Sequence, residues 1–358
     1  MFLYRITTGG LMYNYKTHLQ GSYKKLADAM EKVETERNFN SYAEDPAAAS
    51  KAFQLRRDHW RNAAHTRNNS NVYSTFSQAY DTVDQVKNKL GYFLANDGTL
   101  VGLNTPDASG RNALGQSILE AANAAVQSMN ANYAGNFIFA GADGLNVPFE
   151  WSEDGQTLLF RGVDVSGNGT KLDANGQKIS DGGLLALDDM NNETTYVDIG
   201  LGMAENIDGQ PIVSTVYNSA LSGIDFLGYG TDEDGDPKNA IMIMKQIGDI
   251  LMNCSSEDGK FAKPEDEETL NRLSKKLQTS LDSMNTKFVE LATKAQFLQT
   301  NEEKLKDEKD TLNKQVLEVE KMEPAEAITL MIYAQYAYNA ALKIGMNILS
   351  ESLIDYMK

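Results

Sequence analysis

Both ends of the chain carry apolar residues at alternating steps of four and three, over stretches too long for one compact globule. From Val72 they run Val72, Phe76, Ala79, Val83, Val86, Leu90 and Phe93, the seam of a heptad repeat. A second seam runs Leu270, Leu273, Leu277, Leu281, Met284, Phe288, Leu291, Ala295 and Leu298, then past Leu305 and Leu312 to Val316 and Val319. A helix of roughly 55 residues extends about 80 Å, which suits a rod. Asn96-Asp97-Gly98 closes the first seam with turn chemistry, and Pro264 followed by four acids opens the second, its carboxylates facing the positive end of the helix dipole. Pro106-Asp107 opens a further helix with Leu114, Ile118, Ala121, Ala125 and Met129 on one stripe.

The extreme ends carry stripes of their own. Leu11, Tyr15, Leu19, Ser22, Leu26, Met30 and Val33 form the first; Ile328, Met331, Gln335, Tyr338, Leu342, Leu349 and Leu353 form the second, less regular one. Short linkers at 38–45 and 322–324 flank them. Such stripes on both ends of one chain are expected to seal against each other, with positions near Leu26 and Leu342 facing, or against neighbouring subunits. The expected assembly interface is Leu11, Tyr15, Leu19, Leu26, Met30, Ile328, Met331, Leu342, Leu349, Leu353 and Tyr356. Helices of this length are marginal alone, so these ends are expected to order on assembly.

Charge separates the middle from the arms. The net charge is -17. Residues 143–258 hold 21 acids against 5 bases, a net of -16, and 16 of the 28 glycines. Candidate strands are 136–140, 157–161, 196–199 and 212–217. Asp154-Gly155, Asn168-Gly169, Asn175-Gly176, Asp208-Gly209 and Asp234-Gly235 are hairpin-grade turns. The expected fold is α+β: a long antiparallel helical bundle formed by the N- and C-terminal arms, with an inserted β-rich central domain. The expected division is 1–45 and 315–358 for assembly, 46–141 and 241–314 for the bundle, and 142–240 for the acidic insertion.

The composition and motifs also exclude functions. A net charge of -17 argues against nucleic acid and against anionic membranes, which need clustered Lys and Arg. No run approaches 18 apolar residues, and the start lacks the charged and apolar regions of a secretory leader. His18, His59 and His65 read as exposed polar positions without ligand spacing. Cys254, the one cysteine, reads as a small half-buried residue. Asp232-x-Asp234-Gly235-Asp236 misplaces the glycine of a calcium loop and has Ile243 where that loop needs Glu, so it reads as an acidic turn. No phosphate loop, nucleophile elbow or zinc-protease helix occurs. Neither an active site nor a cofactor or metal is expected.

Several motifs together resemble the flagellin superfamily, most closely its hook–filament junction proteins. Arg5-Ile6-Thr7 looks like the family's opening Arg-Ile-Ser/Thr. Glu44-Asp45-Pro46-Ala47-Ala48-Ala49-Ser50 is similar to its Asp-Asp-Pro-Ala-Ala-Ala-Ser turn, where Asp45 can cap the helix that follows. Asn136-Phe137-Ile138-Phe139-Ala140-Gly141 resembles its Tyr-Ile-Phe-Ala-Gly element. Glu323-Pro324-Ala325-Glu326-Ala327 and Ser352-Leu353-Ile354-Asp355-Tyr356-Met357 resemble its last helix. Thr35-Glu36-Arg37-Asn38-Phe39-Asn40 departs from the usual Ser-Gly-Lys/Arg-Arg-Ile-Asn by placing Glu36 at the glycine. Gln85–Leu90 stands where bulk flagellins carry Arg-Glu-Leu-Ala-Val-Gln. The resemblance implies a non-enzymatic extracellular subunit of the bacterial flagellum, secreted without a cleaved signal peptide. It would form a ring between hook and filament, beside another hook-associated protein and flagellin, after an export chaperone leaves its C-terminal region. A filament subunit, or an adhesin-like binding module on a helical mount, is the alternative.

Overall fold

The computed structural model describes residues 8–95, 98–101, 108–168, 171–172, 178–179, 182–253, 261 and 265–356. Its helices are α1 (Thr8–Thr35), α2 (Pro46–Gly91), α3 (Ala108–Met129), α4 (Gly182–Asn191), α5 (Gly223–Leu227), α6 (Ala240–Met252), α7 (Asp266–Glu320) and α8 (Pro324–Tyr356). With short strands in the middle of the chain, the fold is α+β, its long N- and C-terminal helices packed together. The chain forms two compact units, one of residues 1–63 and 306–358, the other of 64–305. The turn at Asn96-Asp97, the helix start at Pro106-Asp107, Pro264 and Cys254 lie outside the described residues.

In the 64–305 unit the two seams meet. Val72, Phe76, Ala79, Val83, Val86, Leu90 and Phe93 of α2 are all buried, as are Leu270, Leu273, Leu277, Leu281, Met284, Leu291 and Leu298 of α7. Tyr80 stacks on Phe288 at 4.3 Å, and the Lys87 ammonium lies 4.1 Å over the same ring. Buried amides fix the register between the helices. Asn69 donates to the Leu298 carbonyl (2.9 Å), while Asn301 donates to Asn69 Oδ1 (2.9 Å) and to the Ile199 carbonyl (2.8 Å). A buried amide of this kind is costly unless paired, so it specifies one alignment.

The helix α3 packs on α6 at close range because glycines face each other's helix. A Cβ at Gly115 would come 2.9 Å from Leu251 Cβ, and one at Gly248 would come 2.6 Å from Leu119 Cδ2. Asn239 caps α6, accepting from the amides of Ile241 and Met242.

Eleven short strands are present among the described residues: β1 (Asn132–Tyr133), β2 (Asn136–Phe137), β3 (Ala140–Gly141), β4 (Phe149–Trp151), β5 (Leu158–Phe160), β6 (Val163–Asp164), β7 (Lys171–Leu172), β8 (Lys178–Ile179), β9 (Tyr196–Val197), β10 (Tyr217–Asn218) and β11 (Leu221–Ser222). Only β4-β5-β6 exceeds a two-stranded pair. The antiparallel pair β3–β11 joins Ala140 to Ser222 and Gly141 to Leu221. Phe139, Phe149, Phe160 and Phe226 are buried, Phe139 edge-on to Phe226 at 5.9 Å and Phe149 5.1 Å from Phe160 across β4–β5. Asp154-Gly155, Asp208-Gly209 and Asp234-Gly235 do turn the chain, their glycines at φ 66°, 74° and 81°. Asn175-Gly176 and Gly169 lie outside the described residues.

Three local expectations are corrected. Residues 212–217 are not one strand, because Val213–Thr215 is a 3-10 turn closed by the Thr215 hydroxyl on the Ile212 carbonyl. The middle also contains α4, whose glycine-led start gave no helix signal. His65 is not an exposed polar position; its imidazole is half-buried with Nε2 3.2 Å from Asp198 Oδ2.

In the other unit the linkers after α1 and before α8 are pinned together. Arg37 bridges Lys321, the Met322 amide donates to Glu36 O (3.0 Å), and Asn38 donates to the carbonyls of Val319 and Lys321. Asp45 caps α2 as expected, accepting from the amides of Ala47 and Ala48, with Pro46 at the first helical position. Glu36 ends α1 in the left-handed region, at φ 53°. A side chain there costs about 1–2 kcal/mol that glycine avoids. In assembled protein, Glu36→Gly is therefore expected to raise the urea stability of this unit by about 1 kcal/mol; an unchanged or lowered midpoint would show that the strain is compensated.

Candidate assembly surface

In the 1–63/306–358 unit, α1 and α8 pack side by side and antiparallel. Tyr23 and Tyr338 meet at 5.8 Å between ring centroids. Tyr15 lies against Gly345, where even a Cβ would overlap its ring. With Arg37 bridged to Lys321, this register places Leu26 opposite the region of Ala334. The expected facing of Leu26 and Leu342 is therefore corrected by eight residues, about 12 Å along the helix.

The face of α8 that meets α1 is not the bulky one. Its buried or half-buried positions are Ala327, Met331, Ala334, Tyr338, Ala341 and Gly345, a heptad stripe of mostly small residues that lets two backbones approach. The bulky residues point elsewhere. Ile328, Leu330, Ile332, Leu342, Ile344 and Met346 are all exposed, and Tyr333 and Tyr336 are 68% and 70% exposed. Between Ala327 and Met346 the only charge is Lys343. No described helix is long and apolar enough to cross a membrane.

The anticipated interface residues fall into three groups. Tyr15, Leu19 and Leu26 of α1 and Met331 of α8 are half-buried. Met30, Ile328 and Leu342 are exposed; Ala29 takes the buried place beside Met30. The side chains of Leu11, Leu349, Leu353 and Tyr356 lie outside the described residues. Among the motif residues, Arg5, Ile6 and the Asp355 side chain are likewise outside. Phe137 is half-buried on β2 and Phe139 is fully buried. Gly141 has φ 72°, and a Cβ there would meet the Glu193 carboxylate at 2.9 Å. Ala325 and Glu326 sit in the first turn of α8.

Burial differs sharply between the units. Among the described residues, the only buried apolar side chains of the 1–63/306–358 unit are Ala29, Ala49, Ala52 and Ala327. Every described Phe, Leu, Ile, Val and Met that is buried belongs to the 64–305 unit. Sequence reasoning missed the exposed Leu330, Ile332, Tyr333, Tyr336, Ile344 and Met346. Their signal was apolar character all round one helix, which a search for a single stripe passes over.

The acidic turn of the 64–305 unit forms a second cluster. The carboxylates of Asp232, Asp234 and Asp236 lie within 4.8 Å of one another. The Lys276 ammonium from α7 reaches all three, at 2.6, 2.8 and 2.5 Å, and Arg272 grips both oxygens of Asp236. A cation could enter only by displacing Lys276. The Lys276 hydrogen bond holds the Asp232 pKa below the carboxylate range. Burial pushes Asp236 up, but the bonds from Arg272 and Lys276 outweigh it and its pKa is also lowered. Burial disfavours the Lys276 charge, and the three carboxylates more than reverse this, raising its pKa. Both aspartates have folded values below their unfolded ones, so their contribution is complete above about pH 4–5 and is lost as pH falls through the depressed values. Acid unfolding of this unit is expected to shift to higher pH in Lys276→Met; an unchanged midpoint would show the clamp contributes nothing.

Long helical arms around a β-rich middle define an α+β class of elongated-helix protein. In that class, solved structures similar to this chain include flagellar hook-associated proteins. The structure of a putative flagellar hook-associated protein from Vibrio parahaemolyticus matches with a TM-score of 0.52 and 16% identity, over 77% of this chain and 99% of that one. Bacillus cereus FlgL gives 0.44 and 16%, over 74% and 99%. The flagellar junction protein FlgL from Legionella pneumophila gives 0.44 and 13%, over 76% and 100%. No family model and no curated protein matches the sequence. At 16% identity the Vibrio likeness establishes a shared fold.

Proposed function

We propose that the chain is a structural subunit of the bacterial flagellum that forms the junction between hook and filament by self-assembly of its terminal helices. The observation that carries this reading is the unit built by α1, α8 and the adjoining parts of α2 and α7. Among the described residues it exposes a row of large apolar side chains and, of its apolar side chains, buries only alanines, on a fold shared with a putative flagellar hook-associated protein. Ordering these helices costs about 1–2 kcal/mol per residue in backbone freedom, and four buried alanines offset little of it. The missing burial comes from neighbouring copies in a ring, and from a hook-associated protein and flagellin on either side. Before assembly an export chaperone covers the apolar C-terminal region. Residues 1–45 and 315–358 do the assembling, 46–141 and 241–314 form the bundle, and 142–240 is the inserted domain. The protein acts outside the cell, as a non-enzymatic part of the flagellum.

Deleting the gene tests this. Electron microscopy is expected to show hooks without filaments, with filament protein released to the medium. Normal filaments on the deletion strain would contradict the assignment.

A further inference from the structure

On the α2 surface of the 1–63/306–358 unit, Trp60 is 77% exposed and Phe53 62%. Arg57 and Arg61, three residues before Trp60 and one after it in α2, share one carboxylate, Asp58, at 3.5 and 2.8 Å, which leaves the pair net positive. An exposed tryptophan with two arginines close by on the same helix has the composition of an interface hot spot, and single exposed ion pairs of this kind hold little energy to be lost on docking.

The 64–305 unit carries the complementary feature. The hairpin at 203–213 projects Ile207 entirely into solvent, with Met203, Ile212 and Val213 exposed beside it. Glu205 and Asp208 flank Ile207, and no Lys or Arg occurs from 179 to 237. The hairpin is fixed rather than loose. Asn206 Oδ1 accepts from the amides of Asp208 (3.0 Å) and Gln210 (2.9 Å), and the Ile212 amide donates to the Ala204 carbonyl (2.9 Å).

We propose that the Trp60 patch of one copy docks on the Ile207 hairpin of a second copy, Trp60 and Phe53 covering Ile207 and Met203 while Arg57 and Arg61 pair with Glu205 and Asp208. Each surface is apolar at its centre, and their flanking charges are opposite. Because the two patches differ, the contact is heterologous: every copy offers one patch and accepts one hairpin, which propagates into a ring or an open array. This rests on the self-assembly reading above and adds to it a contact that the terminal stripes do not supply.

Two full-length variants test it, Arg57→Glu/Arg61→Glu and Glu205→Arg/Asp208→Arg, followed by sedimentation velocity alone and mixed. Each variant alone sets like charges against each other and is expected to associate at least about ten-fold more weakly than the wild type. Mixed in equal amounts, reversed patches meet reversed hairpins and native patches meet native ones, so association is expected to return. A variant that loses helicity is replaced by the single reversal Arg61→Glu or Asp208→Arg. Wild-type-like association of both variants alone, or loss without rescue on mixing, overturns the contact while leaving assembly through the terminal helices standing. A wild type that stays monomeric at every concentration overturns the self-assembly reading and this contact with it.

Discussion

Phe76→Ala is expected to cost the 64–305 unit about 3–5 kcal/mol, the usual loss for removing a fully buried aromatic ring. Phe76 is 0% exposed and stands in the α2 seam, its ring 5.7 Å from that of Tyr217 and edge-on to it. Tyr217 in turn stacks with Phe297 of α7 at 6.0 Å. The cavity would open between the bundle and β10, where neither side can collapse without breaking the β9–β10 pairing of Tyr217 with Val197. Phe76→Leu, which keeps most of the volume, should cost well under half as much. Urea unfolding followed by tryptophan fluorescence and far-ultraviolet circular dichroism measures both. A loss under about 1 kcal/mol for the alanine variant would mean that the α2–α7 seam is not the stability core.

The second large effect concerns assembly and leaves stability nearly untouched. Replacing Ile332, Tyr333, Tyr336 and Ile344 together by alanine is expected to abolish self-association. Each such side chain contributes roughly 1.5–3 kcal/mol when fully buried, so four are worth about 6–12 kcal/mol against a partner. All four are exposed in the single chain, so their loss removes no intramolecular core. Alanine is the best helix former, which rules out a helix-propensity explanation. Light scattering should show no association, while the urea midpoint of the 64–305 unit stays within about 0.5 kcal/mol of the wild type. Retained association would show that another surface drives assembly.

The parts of the fold legible in the sequence were those where large residues repeat. Val72 to Phe93 and Leu270 to Leu298 repeat bulky side chains at heptad spacing, and the helices they predict meet along those residues. In α8 the same reasoning chose bulk, naming Ile328 and Leu342, whereas the contact with α1 runs one residue earlier at each place, through Ala327 and Ala341. Helices that approach closely do so through small residues. Ala327, Ala334, Ala341 and Gly345 carry the contact, leaving the large side chains on the outside. A residue's size announces that it needs burial without saying whether the same chain provides it.

In the middle of the chain, turns were easier to read than strands. Asp154-Gly155, Asp208-Gly209 and Asp234-Gly235 demand a left-handed glycine, a local requirement. Strands of two or three residues, such as β9 and β10, have too few positions to show alternation, and their pairing depends on residues about twenty apart. The role of Lys276 was hidden for a related reason. The sequence showed three aspartates in a turn, but their counter-charge comes from α7, forty residues away, and makes the turn a clamp on the bundle. The Glu36 departure was visible, and its consequence, a strained left-handed helix end, followed from the glycine it replaces.

Hydrogen exchange on dilute monomer and on assembled protein, read peptide by peptide, tests the central claim most directly. In the monomer, amides of α1 and α8 are expected to exchange orders of magnitude faster than those at 72–93 and 270–298, since only the latter stand over a core of large buried side chains. In assembled material, the α1 and α8 amides should become as protected as the seam. Equal protection of the terminal helices and the seam in dilute monomer would contradict the account, because the terminal helices would then be stable without neighbouring copies.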